Sequence, residues 1–279
     1  MSSERGRAYL AACTIYRDDA DYLGEWIEFH RLVGVERFVL YDNGSTDHHL
    51  DVLAPYLEEG VAIRHDWPLP FRGESGRPKA MVLAFEHCVG VHRDDARWIA
   101  FLDVDEFLFS PTGALLPELL PEYERFPAVI VNRAEFGPSG HLTKPQGLVI
   151  ESYVERWQLR PDDRAQYKSI LDPARVAWCT SAHKFVYHDG VPVNEEMSAV
   201  TRYGRKPDSW ARLKIHHYPL RSLEERRRKA QKWGDVGSSR PLLTGVIETR
   251  GGTVRDETLV AYAPAVREAL DRRGPPAAG

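Results

Sequence analysis

Cysteine is scarce. Cys13, Cys88 and Cys179 are the full complement of the 279 residues, far apart and in no CxxC pair. So sparse and odd a set excludes a disulfide framework and fits reduced thiols. Cys13 and Cys88 lie among apolar residues and read as inert core thiols. Long hydrophobic runs are also missing: no stretch approaches the length needed to cross a bilayer. The opening MSSERGRAYLAAC holds no apolar segment long enough for a signal peptide. A cytoplasmic protein is the expectation, with peripheral membrane contact left open. Positive charge is not in excess, with 37 Lys and Arg against 41 Asp and Glu. That balance argues against a nucleic-acid partner. The basic cluster Arg226 to Lys229 follows Glu224 and Glu225 and reads as a solvated helix face. No internal repeat and no flexible linker is apparent.

What is present is an alternation of strand and helix signals. Tyr9 to Tyr16 (YLAACTIY) is a short buried-strand run. The next stretch places Tyr22, Leu23, Trp26, Phe29 and Val33 near helical spacing, with Gly34 as its stop. Arg37 to Asn43 reads as a second strand running into GSTD, where Gly44 turns and Ser45 or Asp47 could cap a second helix. VAIRHDW, KAMVLAFEHCVGVH and RWIAFLDVDEF then read as strand, helix and strand. This rhythm predicts an α/β fold with a parallel sheet covered on both faces. Ligands of such sheets sit beyond the carboxyl ends of the strands. After about Pro127 the pattern shifts to strands and loops: AVIVNRAEFG, LVIESYVERW, RVAWCTSAHKFVYHDG and ARLKIHHYPL. The helix SLEERRRKAQKW follows. One domain over 1–240 is the simplest organisation, with a C-terminal extension over 241–279 packed on it and a tail, DRRGPPAAG, that frays.

The stretch WIAFLDVDEFLF sets Asp103, Asp105 and Glu106 inside an apolar run, where an unpaired carboxylate is costly. On a strand, residues two apart share a face, so Asp103 and Asp105 can point together or span a strand end. Two hard oxygen ligands so close suit Mg²⁺ or Mn²⁺, an ion usually completed by water and substrate phosphates. Two solvated acids at a strand end would give the same short motif. The wider context decides between them.

TIYRDDADYLGEWIEFHRLVGVERFVLYDNGSTD, followed by FLDVDEFLF, resembles the N-terminal half of a GT-A glycosyltransferase, and more closely glycosyltransferase family 92 and its bacterial relatives. FGPSGHLTKPQGLVIESYVER, YKSILDPARV, HKFVY and IHHYPLRSLEERRRKAQ resemble that family's later blocks. The resemblance covers residues 9–235. It departs at Arg17-Asp18-Asp19, where the family has Lys-Asn-Glu, and at Arg133, where an aromatic is expected. It implies a GT-A (Rossmann-like) fold, a central mostly parallel mixed sheet flanked by helices. It also implies a metal-dependent, inverting transfer of a sugar, galactose as first guess, from a UDP-sugar to a hydroxyl of a glycan or small-molecule acceptor.

Roles follow from the resemblance. Asp103 and Asp105 would hold Mn²⁺ or Mg²⁺, because a departing diphosphate builds negative charge that a metal and cations stabilise. His217 would be a third ligand or a diphosphate contact, with His216 the alternative. Arg77 and Lys79 would contact phosphate or simply solvate their loop. Asp42 and Asn43 would meet uracil or ribose, with Asp18 or Asp19 nearby. A general base is needed. Glu195 and Glu196 fall at a fitting distance downstream, with Glu135, Asp172 and His141 as rivals. Gly137 and Gly140 would let the backbone approach a sugar closely. Three other readings stand beside this one. FLDVDEFLF also resembles the DxD motif of haloacid-dehalogenase-type phosphatases, but Phe107 and Glu106 depart from it. A nucleotidyltransferase would show a Gly-rich loop that IYRDDADYL lacks. A catalytically silent sugar-nucleotide binder would keep the fold without the chemistry.

Overall fold

The computed structural model describes residues 6–70, 79–158, 166–181, 183–201, 209–232 and 252–274. Twelve strands are seen among these: β1 (Ala8–Tyr16), β2 (Arg37–Asp42), β3 (Ala62–Asp66), β4 (Ala96–Phe101), β5 (Glu106–Phe109), β6 (Ala128–Glu135), β7 (Glu155–Trp157), β8 (Tyr167–Leu171), β9 (Val176–Ser181), β10 (Lys184–Tyr187), β11 (Lys214–His217) and β12 (Thr253–Arg255). The helices are α1 (Ala20–Leu32), α2 (His49–Glu58), α3 (Lys79–Val91), α4 (Leu116–Leu119), α5 (Val149–Ser152), α6 (Leu223–Lys232) and α7 (Ala263–Asp271).

Eight strands form one sheet in the order β3-β2-β1-β4-β8-β6-β11-β5. The first four are mutually parallel, β8 runs against β4 and β6, β11 is parallel to β6, and β5 is antiparallel to β11. Six strands therefore share one direction. Their carboxyl ends line a single edge, together with the starts of β5 and β8. The expected α/β architecture, a mostly parallel mixed sheet between helices, is what the chain adopts.

Alternation along β1 splits the core. Leu10 and Ala12 pack with Trp26, Ile27 and Phe29 of α1, while Cys13 and Ile15 pack with Ala84, Phe85 and Cys88 of α3. Burying side chains of the size of Trp26 or Phe29 contributes about 1.5–3 kcal/mol each. Helix α1 ends where Gly34 predicts. Its φ is +101°, its N–H donates to the Arg31 carbonyl, and an added Cβ would collide with the Pro117 ring of α4. The cysteines are free and buried.

Three local expectations are corrected. The fourth strand stops at Phe101, so Asp103 to Asp105 is a tight turn, not strand, and Glu106 opens β5. The Glu106 N–H donates to the Asp103 carbonyl (3.0 Å) and the Asp103 N–H to the Glu106 carboxylate (2.9 Å). A side chain that closes a turn on its own backbone outcompetes the sheet ladder. LVIESYVERW is not one strand either. Its first half is α5, because the buried Glu25 carboxylate accepts the Val149 and Ile150 N–H groups at 2.8 and 3.0 Å. Neither Ser45 nor Asp47 is the N-cap of α2, which is His48 with no side-chain cap bond. Ser45 and Asp47 instead accept the N–H groups of Asp18 and Ala20.

The C-terminal segment makes contacts from two elements. Strand β12 pairs with β7, and Val266 of α7 joins the core on the α1 side. The span 241–251 and the end of the tail lie outside the described residues. Among the described residues no helix is long and apolar enough to cross a membrane.

Candidate active site

The turn at 103–106 sits on the shared carboxyl edge, and its position is held from behind. Trp26 Nε1 donates to the Glu106 carbonyl at 2.9 Å. His30 donates through Nδ1 to the Trp26 carbonyl (2.8 Å) and accepts the Leu108 N–H at Nε2 (3.1 Å). Burial keeps that ring neutral, with its pKa lowered to about 3. The EWIEFH segment of α1 is thus scaffold: Glu25 caps α5, and Trp26 with His30 clamps the start of β5.

The acids of the turn are met by cations from distant segments. Lys168 of β8 lies 2.8 Å from Asp103 Oδ2 and 3.1 Å from Glu106 Oε2. Arg133 of β6 lies 2.5 Å from Glu106 Oε1 and 3.5 Å from Glu135 Oε1. His217 of β11 pairs in register with Glu106 on one side and Glu135 on the other. Its Nε2 is 3.5 Å from Asp105 Oδ1 and its Nδ1 3.6 Å from Glu135. The result is one continuous chain of charge: Asp103, Lys168, Glu106, Arg133, Glu135, His217, Asp105. Burial alone would raise the Asp103 pKa, but the Lys168 ammonium beside it holds the carboxyl below its usual range. Burial and the Arg133 charge favour a neutral His217, yet Asp105 and Glu135 pull its pKa above the usual imidazole value. His183, just before β10, is depressed to about 3 by burial and by the Lys168 and Arg133 charges.

Strand alternation settles the choice within the HH pair. His216 points away from the network, against Phe109 and Phe136, with Asp256 of the C-terminal segment 3.6 Å from its Nε2. Asp256 also holds Lys214 (2.5 Å) and Arg156 (3.1 Å). Beyond β11, Arg221 has a φ of +40° and lays its guanidinium 3.4 Å over the Tyr22 ring. Both Asp105 and Asp19 bear on its charge. Glu225 fixes this loop by accepting from Ser222 Oγ and Tyr153 (each 2.6 Å) and from Tyr22.

The residues expected at the nucleotide end are arranged differently. Asp42 is buried and accepts the Ser45 N–H (2.8 Å) and Arg64 (3.0 Å), with His49 Nε2 3.2 Å away. Asn43 donates from Nδ2 to the Trp67 and Leu69 carbonyls at 2.7 and 2.8 Å. Asp18, at φ +47°, accepts the Thr46 N–H at 2.6 Å. Asp19 accepts the Arg17 N–H at 3.3 Å. Lys79 is exposed at the start of α3, and Arg77 lies outside the described residues.

The base candidates divide cleanly. Glu195 is buried and its carboxylate takes the N–H groups of Ala211, Arg212 and Leu213 at 2.9, 2.9 and 2.5 Å. Leu213 precedes β11, at the opposite end of that strand from His217, so Glu195 is a backbone anchor away from the DxD turn. Glu196 follows it, exposed. Asp172 caps a 3₁₀ turn and pairs with Arg97 (2.6 Å), again at the far edge. His141 bonds the Ser152 carbonyl through Nε2 (3.0 Å) and is not joined to the charge network. Glu135 alone of these candidates is part of it. Gly137 does not face an open cleft: an added Cβ would stand 3.1 Å from Trp157.

Among the described residues no three of His, Cys, Asp and Glu converge into a ready-made metal cage. A hard divalent ion completed by phosphate needs only one or two carboxylates from the protein. The donor set fits that case: Asp103 Oδ1 is buried with no hydrogen-bond partner, next to Asp105 and the His217 imidazole. Lys168 was not legible as a site residue, because the acids it meets lie far away in sequence, and Arg133 stood out only as a departure from the aromatic that the resemblance expects.

The model of glycosyltransferase family 92 matches residues 9–234, and the chain belongs to that family. A family 92 protein of Ricinus communis is 33% identical over 230 residues, 77% of this chain and 36% of that protein. One from Arabidopsis thaliana is 30% identical over 226 residues, 75% of this chain and 37% of the relative. The chain thus spans little more than a third of these relatives. A galactan β-1,4-galactosyltransferase of Arabidopsis thaliana, GALS2, is 33% identical over 108 residues, 37% of this chain and 21% of that one. Among solved structures, S. aureus TarS 1-349 in complex with UDP aligns over 95% of this chain and 71% of its own, at 13% identity and a TM-score of 0.39. With the family established, the sheet and its flanking helices are of the GT-A, Rossmann-like kind.

Proposed function

We propose that the chain is a glycosyltransferase that moves a hexosyl group, galactose in the first instance, from a UDP-sugar to a hydroxyl of a glycan acceptor, with inversion. The observation that carries this reading is the union of Asp103, Asp105, His217 and Glu135 in one partly buried network on the carboxyl edge of the sheet. Family membership and the galactan β-1,4-galactosyltransferase relative support the sugar and the acceptor class.

Asp103 and Asp105 would hold Mn²⁺ or Mg²⁺, which supplies Lewis-acid stabilisation of the departing diphosphate, and His217, 3.5 Å from Asp105, would contact that diphosphate. Lys168 keeps Asp103 ionised and oriented for that role. Arg221, its guanidinium bearing on Asp105 and Asp19, would be the cation that meets diphosphate oxygens. Glu135 is the general base of this reading. It takes the proton of the acceptor hydroxyl as the oxygen attacks the anomeric carbon, with Arg133 3.5 Å from its Oε1.

The test is transfer from labelled UDP-galactose to a β-1,4-galacto-oligosaccharide in the presence of Mn²⁺. Transfer should stop with EDTA and return with added Mn²⁺. Turnover that survives full chelation would overturn the metal assignment. A stronger thermal shift with GDP or CMP than with UDP would overturn the donor. In Glu135→Gln, turnover should fall at least a hundredfold at nearly unchanged UDP affinity.

A further inference from the structure

Arg133 is buried, and its guanidinium is shared between two carboxylates, Glu106 at 2.5 Å and Glu135 at 3.5 Å, and the Gln166 side-chain oxygen at 3.2 Å. Neither is one of the two DxD acids, yet each stands beside a residue of the proposed site: Glu106 follows Asp105, and Glu135 pairs with His217. Arg133 Nε is also buried without a hydrogen-bond partner, so the side chain is not placed there by a full set of bonds. Glu106 already has a cation, Lys168, at 3.1 Å. A second buried cation is thus more than the turn needs to close.

Two species of opposite sign must share this site if the proposed function holds. A divalent cation beside Asp103 and Asp105 is repelled by Arg133, whereas the diphosphate that completes its coordination is attracted. We propose that Arg133 sets the order of binding by charge: it weakens the hold of the protein alone on a divalent ion and strengthens the hold of the metal-loaded site on a nucleoside diphosphate. The ion then stays in place mainly as a complex with its nucleotide. Arg133 is a charge-setting residue in this scheme, acting through Glu106 and Glu135 and not by contact with a reacting atom. A unit charge several ångströms from the ion, in a partly polar interior, corresponds to about a tenfold change in either affinity.

The inference rests on the metal reading above, and its test separates the two. Mn²⁺ uptake without nucleotide is followed by the free-ion electron paramagnetic resonance signal. UDP binding is measured by calorimetry at saturating Mn²⁺. In Arg133→Met, Mn²⁺ should bind about tenfold tighter and UDP about tenfold weaker. A merely structural role predicts that both weaken, and that result, or no change in either, overturns the proposal. In Arg133→Met/Glu106→Gln the lost cation is matched by a lost carboxylate, so both affinities should return to within about threefold of the unmodified protein. If the single variant does not fold, the double variant decides: unchanged affinities support the charge account, and joint losses refute it. Absence of Mn²⁺ uptake by the unmodified protein, with or without UDP, is a separate outcome that removes the metal reading and this inference with it.

Discussion

The carboxyl edge of the sheet carries two groups of acids that look alike in sequence and differ in what they hold. At one end Asp18, Asp42 and Asp47 accept backbone N–H groups of Thr46, Ser45 and Ala20, so these acids stitch two loops together. At the other end Asp103, Asp105, Glu106 and Glu135 face Lys168, Arg133 and His217. Carboxylates that receive N–H groups are satisfied in place and resist rearrangement. Carboxylates paired with side-chain cations can exchange partners, because an incoming ion can displace an ammonium or an imidazole. The first group is architecture for a loop, and the second is the group that the proposed function uses.

The most severe way to break this contrast is to remove the cation at its centre. Lys168 is buried between Asp103 and Glu106. Lys168→Met leaves the buried Glu106 and the half-buried Asp103 facing one another with only Arg133 nearby, and removal of one partner of a buried ion pair costs about 3–5 kcal/mol. Urea unfolding should show that loss. A stability within about 1 kcal/mol of the unmodified protein would mean that water reaches the network freely.

Asp105→Asn probes the same end without emptying space. The shape is kept and one negative charge is lost. Turnover should fall by at least about a hundredfold, or about 3 kcal/mol of transition-state stabilisation, while the melting temperature stays near that of the parent. A parallel loss of stability and activity would place Asp105 with the architectural acids.

At the opposite end, Asp42→Asn should do the reverse. The Arg64 and Ser45 bonds lose their charge assistance, at a cost of about 1–3 kcal/mol. UDP affinity, measured where the variant is fully folded, should change by less than about threefold. A tenfold loss of UDP affinity with intact stability would instead put Asp42 in direct contact with the nucleotide.

The same contrast explains what the sequence revealed. The alternation of strand and helix, the Gly34 stop and the DxD acids are local patterns, and they were readable because helix and strand periods and turn chemistry act over a few residues. The matching of Asp103 by Lys168 and of Glu106 by Arg133 spans 65 and 27 positions along the chain, from the numbering, and depends on the order in which strands join the sheet. A lone Lys in YKSIL gives no sign of which acid it will meet. Glu195 misled for the mirror-image reason: a carboxylate at a fitting sequence distance from the DxD was taken up by three backbone N–H groups at the wrong end of β11. Strand β11 also delivered His217 to the site, where alternation and pairing with β5 and β6 decide which histidine faces the acids.

The smallest effect concerns two buried groups on α1 that support the site without belonging to it. Burial pushes Glu25 up to about 7 and His30 down to about 3. For Glu25 the folded pKa lies above the unfolded value, so its contribution is full below about pH 4.5 and is lost as pH rises through 7. For His30 the folded pKa lies below the unfolded value, so its contribution is full above about pH 6.5 and is lost as pH falls toward 3. Between about pH 4.5 and 6.5 the folded chain carries an extra proton on Glu25, and the unfolded chain carries one on His30. The two slopes cancel there, and these groups together leave stability nearly flat with pH. Glu25→Gln removes one of them while keeping an oxygen that can accept the Val149 and Ile150 N–H groups. Relative to the parent, its stability should then rise with pH across that window by up to about 1.4 kcal/mol per unit. Urea midpoints at pH 4.5, 5.5 and 6.5 for both proteins measure this difference. Parallel pH profiles would show that Glu25 is ionised in the folded state throughout the range, and that its two backbone bonds outweigh its burial.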